Sequence, residues 1–144
     1  MRTSSSRVGP AGKAPETPVR DFLGAFQERR REALEPFLDE AVVYQVDGFE
    51  PVVGRRAVLA YWRRMFDLHE TVRMSLARHV RDGEVAIAAV HQLYLARSRP
   101  PLVLESLTVF ELQGERIRKW SDHLAGEVPE ETAALWRRLR AARW

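Results

Sequence analysis

Ile117-Arg118-Lys119-Trp120-Ser121-Asp122-His123-Leu124 reads as a strand, and alternate side chains along a strand share a face. One face carries Trp120, Asp122 and Leu124, a carboxylate between two large apolar groups. An ionised carboxylate that leaves water costs several kcal/mol unless something pairs with it. If this face lines an interior, Asp122 needs a partner or a chemical task.

Backwards from this strand the hydrophobic period stays at two. Gln113-Gly114 is a turn, residues 102–112 a strand, and Pro100-Pro101 a break. Residues 85–97 form a long strand, Asp82-Gly83 a hairpin turn, and residues 71–80 another strand. The pattern predicts a four-stranded antiparallel meander. Further upstream the period becomes helical. Thr17-Pro18 suits an N-cap and first helical residue, and Val19, Phe22, Leu23 and Phe26 follow at i, i+3, i+4 and i+7. A short helix made irregular by Pro36 holds Ala33, Leu34, Phe37 and Leu38. Residues 41–46 are β-branched and aromatic, hence a strand, which Asp47-Gly48 and Pro51 end. Gly54 opens a third helix whose buried stripe is Ala57, Val58, Tyr61, Trp62, Met65 and Phe66. Pro129-Glu130-Glu131 starts a last helix, with Leu135, Trp136 and Leu139 as its stripe and arginines in its final turn.

This is an α+β layout. Residues 1–16 read as a flexible tail, 17–128 as one domain, and 129–144 as a C-terminal helix packed on it or extending it. A curved sheet wrapped over N-terminal helices makes a cone with a closed apolar end and an open mouth, a place for a small ligand.

Composition narrows the function. A chain of 144 residues, 45% hydrophobic and 30% charged, fits one soluble globular domain. No apolar run approaches the ~20 residues that span a bilayer, and no secretory h-region is visible, so a cytoplasmic protein without membrane contact is expected. The absence of cysteine excludes disulfides, thiolate catalysis and cysteine zinc sites. Net charge is +3, and the arginine clusters read as solvated helix faces, with no nucleic-acid partner. Nucleotide-binding glycine fingerprints, a nucleophile elbow and metal-ligand histidine spacing are all missing from the sequence, so no metal or other cofactor is expected.

The chemistry must then come from polar residues on apolar strand faces. In residues 85–97 one face reads Val85, Ile87, Ala89, His91, Leu93 and Leu95, with His91 as its polar member. In 102–112 the matching face reads Leu102, Leu104, Ser106, Thr108 and Phe110, and Tyr44 sits between Val42 and Val46. Tyr44, His91 and Asp122 are therefore the candidate catalytic residues, an orienting phenol, a general acid and a general base. Substrate-lining candidates are Trp120, Ser106, Thr108, Leu104, Leu93, Ala89, Val46, Phe22, Trp62, Phe66 and Leu124.

The order of elements from Val19 to Leu124 resembles the NTF2-like cone fold, which holds ketosteroid isomerases, SnoaL-type polyketide cyclases and limonene-epoxide hydrolases. Val43-Tyr44-Gln45 with Gly54-Arg55 and Ala57-Val58, and Val109-Phe110-Glu111-Leu112 with Gly114, Ile117 and Trp120-Ser121-Asp122, resemble the limonene-epoxide-hydrolase branch. The resemblance puts Asp122 on the carboxylate that activates water there, and Tyr44 on the tyrosine that helps hold it. The chain departs from the pattern where the family has an asparagine (Val46), an arginine (Ser121) and an Arg-x-Asp pair (Ala89 and His91). At the ketosteroid-isomerase positions for the oxyanion donors and base it carries Phe22, Ser106 and Gln45.

The expected function is a cyclase that forms a ring on a hydrophobic, polyketide-like small molecule, by acid/base or shape-driven catalysis. Epoxide hydrolysis is the alternative within enzymes, and a non-catalytic binding or dimerisation module the alternative outside them. The resemblance also implies a homodimer through the outer sheet face, assigned here to Val90, Gln92, Tyr94, Leu107 and Val109.

Overall fold

A computed structural model describes residues 17–142; the tail expected over 1–16 lies outside them. The elements are α1 (Thr17–Ala25), α2 (Arg31–Leu34), β1 (Leu38–Val46), β2 (Val52–Val53), α3 (Arg55–Leu68), β3 (Thr71–Asp82), β4 (Val85–Ala96), β5 (Arg99–Gln113), β6 (Arg116–Leu124) and α4 (Glu130–Ala141). The six strands form one mixed sheet in the order β2-β1-β6-β5-β4-β3. β3 to β6 are the expected meander, and β1 joins it parallel to β6, with Tyr44 opposite Trp120 and Val46 opposite Asp122.

Local chemistry sets the corners. Gly83, at φ +61°, turns β3 into β4 in a conformation that costs a side-chain-bearing residue strain. Gly54, at φ +94°, donates its N–H to the Val42 carbonyl at 2.7 Å while its own carbonyl accepts from Val58. It thus ties the start of α3 to β1. Pro36 confines α2 to one turn and leaves a 3-10 turn at Glu35–Phe37, so Leu38 begins β1 instead of extending a helix. Register shifts within the β3–β4, β4–β5, β5–β6 and β1–β6 pairs mark the bends that curve the sheet.

The concave face encloses the core. Phe22 and Phe26 from the α1 side, Trp62 and Phe66 from α3, Tyr44 from β1 and Trp120 from β6 form one ring cluster. Trp120 lies nearly parallel to Trp62 at 5.8 Å and 4.1 Å from the Tyr44 ring. α4 folds back over the polar end of this face. Its Leu135, Trp136 and Leu139 are buried, and Trp136 meets Phe49 at 5.4 Å and Tyr94 at 6.4 Å. The last helix is thus a cap on the cone.

One expectation about β4 is reversed. The buried face is Ala86, Ala88, Val90, Gln92 and Tyr94; Ala89, His91 and Leu93 face outward. The His91 side chain is 54% exposed and lies 3.6 Å from Glu105, its cross-strand neighbour. Val90, Gln92 and Tyr94, assigned to the outer face, point inward, whereas Leu107 and Val109 do lie outside. The physical reason is a one-residue register shift between Tyr94 and Ala96. An unshifted turn from Ala96 to Arg99 would put His91 beside Leu104. With the shift, Leu104 pairs with Gln92 and Ser106 with Val90, and every β4 side chain changes face.

Candidate active site

Asp122 is the centre of the site. It is 4% exposed, with Thr108 directly opposite on β5 and Val46 opposite on β1. Thr108 Oγ1 donates to Asp122 Oδ1 at 2.7 Å, and Gln92 Nε2 donates to Asp122 Oδ2 at 3.3 Å and to Ser106 Oγ at 3.0 Å. Tyr94 donates its hydroxyl to Gln92 Oε1 at 2.6 Å, which fixes the amide with its NH2 towards the carboxylate. Thr108 spends its one proton on Asp122, so the 3.0 Å contact between Ser106 and Thr108 has Ser106 as donor. Each link of the chain from Tyr94 through Gln92, Ser106 and Thr108 then ends on the carboxylate, with no donor left facing another donor.

This wiring opposes burial without cancelling it. Desolvation raises the Asp122 carboxyl from its ordinary 3.8 to about 6, against the hydrogen bonds of Thr108, Gln92 and the Trp120 indole. Both protonation states are then accessible near neutral pH, which is what a general base or acid requires. Burial, reinforced by the Asp122 charge, raises the Tyr44 and Tyr94 phenols well above their usual value and keeps them as donors. Tyr61 moves in the same direction, again chiefly through burial.

The structure gathers Asp122, Tyr44, Ser106, Thr108 and Trp120 on one side of the sheet, together with the buried Val46, Leu104, Phe22, Trp62 and Phe66 and the half-buried Leu124. It places His91, Ala89 and Leu93 on the other side, so no imidazole faces Asp122 from β4. Sequence reasoning missed Gln92, Tyr94 and Arg140. Gln92 is the one amide on its face of β4, as conspicuous as His91 is on the other. Arg140, on α4, donates from Nη1 to the Tyr61 hydroxyl at 3.2 Å and from Nε to the Glu50 carbonyl at 2.9 Å.

A cavity of about 110 Å³ opens beside this network, between the β4–β5 hairpin and α4. Its lining includes His69, Tyr94, Leu102, Leu135 and Trp136. It reaches the site through Tyr94. His69 Nδ1 is 2.7 Å from the Met65 carbonyl, so that nitrogen carries the proton of a neutral ring, and burial lowers the pKa of the imidazole. Among the described residues no group of three His, Asp or Glu is placed to hold a metal ion, and no helix is long and apolar enough to cross a membrane.

A curved sheet closed over helices, with a buried acid on its last strand, defines an α+β cone. The SnoaL-like domain family model matches residues 19–120, and the chain belongs to that family. Among solved structures, an epoxide hydrolase of the limonene-epoxide-hydrolase-like type from M. tuberculosis is similar at TM-score 0.69 and 23% identity, over 75% of this chain and 80% of that one. A Catenulispora acidiphila protein with a ketosteroid isomerase-like fold, in complex with trimethylamine, is similar at TM-score 0.69 and 19% identity (76% of this chain, 85% of that). A Shewanella denitrificans protein of the SnoaL-like polyketide cyclase type aligns at TM-score 0.69 and 10% identity, over 77% and 91%. At these identities the likeness is one of fold. Among curated proteins no sequence matches the chain.

Proposed function

We propose that the protein is a small-molecule enzyme of the cyclase and isomerase kind, in which Asp122 moves a proton on a hydrophobic substrate held against the concave face. The observation that carries this is a carboxylate buried among aromatic rings, wired by Thr108 and Gln92, and poised at about 6. A purely structural acid would gain more from a paired cation or from replacement by an apolar residue. The family and the fold likeness to cyclase-type and epoxide-hydrolase-type proteins support an oxygen-bearing apolar substrate.

Ring closure is preferred to hydrolysis because the residue opposite Asp122 on β1 is Val46, an isopropyl group where a water would need a polar anchor. With His91 outside, the acid of the reaction is a tyrosine hydroxyl or the protonated Asp122 itself. The test offers purified protein polyketide-like ketones and apolar epoxides in heavy-oxygen water and follows the products by mass. A cyclised product without solvent label is expected, whereas a labelled diol would make the protein a hydrolase. No turnover of either class, with ligand affinity retained in Asp122→Asn, would leave a binding module.

The outer sheet face carries Ile87, Val103 and Leu107 exposed, with Val103 at 64%. Apolar strands of this kind favour cover by a second copy, and we propose a homodimer through β4 and β5. Light scattering is expected to give twice the 16.6 kDa chain mass; a monomer at micromolar concentration rejects it.

A further inference from the structure

Arg140 is a half-buried cation that meets no carboxylate among the described residues. Its Nε and Nη1 hydrogens go to neutral oxygens, those of Glu50 and Trp136 on the backbone and of Tyr61 on a hydroxyl. Its Nη2 is buried without a hydrogen-bond partner, and no ion pair ties it to a carboxylate among the described residues. Native proteins rarely leave such donors unused, and an unsatisfied one calls for a partner that the described residues do not supply. The guanidinium carbon lies 4.8 Å from the Tyr61 ring centre, 5.0 Å from Phe49 and 5.8 Å from Tyr44. A second buried donor without a partner, Trp62 Nε1, belongs to a ring packed on the same two tyrosines, 5.5 Å from Tyr61 and 5.8 Å from Tyr44.

Asp122 is the complementary case, a buried anion held by neutral donors. The Arg140 guanidinium packs on the Tyr44 ring at 5.8 Å, and that ring lies 4.1 Å from Trp120, its neighbour on β6 two residues before Asp122. Both charges act on the same three tyrosines, Tyr44, Tyr61 and Tyr94, without forming an ion pair with each other.

We propose that Arg140 is the group that binds the substrate's oxygen anion, so that the site takes apolar molecules bearing a carboxylate or an enolisable carbonyl. This rests on the reading of the concave face as a substrate site. When Asp122 takes the proton from a carbon beside a carbonyl, the C–H electron pair becomes the new C=C bond. The carbonyl π pair moves to oxygen, and the negative charge arrives beside the Arg140 Nη2 hydrogens. Asp122, now protonated, returns its proton to the substrate in the closing step, so neither atoms nor electrons are left over.

Benzoate and its neutral isostere benzamide are the probes, with binding to the full chain read by tryptophan fluorescence. Benzoate is expected to bind the unmodified protein at least about tenfold tighter than benzamide, the range of a charge-assisted contact. Arg140→Met is expected to lose that preference while keeping its benzamide affinity. Asp122→Asn is expected to keep or strengthen benzoate binding, since it removes the repelling charge. Should Arg140→Met loosen α4, seen as a lower melting temperature, Arg140→Lys serves instead. It keeps the charge on a shorter reach and is expected to retain only part of the preference. Benzoate that binds no tighter than benzamide, including no binding of either, overturns the proposal, as does an unchanged preference in both variants. A failure of the Asp122 reading looks different: turnover would survive Asp122→Asn while the benzoate preference still followed Arg140.

Discussion

Asp122→Asn is expected to cut turnover by roughly a hundred- to ten-thousandfold, the usual worth of a positioned general base, while making the protein more stable above pH 6. The two effects have one cause. The carboxyl titrates near 3.8 when exposed and at about 6 when buried under Trp120. Between those values the folded chain holds a proton that the unfolded chain has released. Stability therefore falls as pH rises through this window, and above it the native state carries the full cost of an ionised, desolvated acid. That cost is about 3 kcal/mol. Asparagine cannot ionise, so the variant loses this slope. Its Oδ1 can still accept from Thr108, but its NH2 then meets the Gln92 NH2, and this clash of donors takes back part of the gain. We expect a net gain of about 2 kcal/mol at pH 8, a melting point higher by about 5 °C, and no gain near pH 4. Thermal melts of both proteins at the two pH values check it. Equal differences at pH 4 and pH 8 would mean that Asp122 is not desolvated, and the catalytic argument would lose its basis. His91→Ala, with its ring in solvent, is the control expected to change neither property.

On the proposed reading, Asp122 costs stability when ionised and is nevertheless surrounded by oriented donors because its ionised form is prepared for proton transfer. Thr108 and Gln92 both stabilise the carboxylate, and Tyr94 uses its own hydroxyl to hold Gln92 in that orientation. Such preorganisation belongs to sites where charge changes during a reaction. It also explains why Asp122 lacks an arginine: a salt bridge would pull its pKa down and make it a weaker base near neutral pH.

The cone was legible because its signals are strong and local. Period-two runs bounded by Asp82-Gly83 and Gln113-Gly114 specify hairpins, and the stripe from Ala57 to Phe66 specifies α3. The inward address of Asp122 followed from Trp120 and Leu124, since no alternative face of β6 is as apolar. β4 offered no such asymmetry. Val85, Ile87, Ala89 and Leu93 are as apolar as Ala86, Ala88, Val90 and Tyr94, so binary pattern could not choose between Gln92 and His91. The choice falls to the register shift beside Pro100-Pro101. Prolines cannot donate to the ladder, and they are tolerated there at the start of β5. Arg140 was hidden for a different reason. It lies in a run of arginines that looks like a wet face, and only the docking of Trp136 on Tyr94 and Phe49 turns that one guanidinium inward.

Trp120→Ala is expected to cost about 4 kcal/mol, in the upper range for aromatic truncation in a core. The indole is 2% exposed and touches four rings from the α1 side, β1 and α3: Phe22 at 5.0 Å, Phe26 at 5.6 Å, Tyr44 at 4.1 Å and Trp62 at 5.8 Å. Those partners are held by different segments, so the cavity cannot close by moving one side chain. A domain of this size has about 5–15 kcal/mol of stability in all, so the variant is expected to unfold at markedly lower denaturant with an unchanged m-value. Trp120→Phe separates packing from chemistry. It keeps most of the ring contacts and is expected to cost about 1–2 kcal/mol, but it removes the indole N–H that helps hold the Asp122 charge. The acid should then titrate higher, and the pH profile of turnover should shift upward in a protein that remains folded. A phenylalanine variant with an unshifted profile would reduce Trp120 to a core residue and leave Thr108 and Gln92 as the groups that set the Asp122 proton affinity.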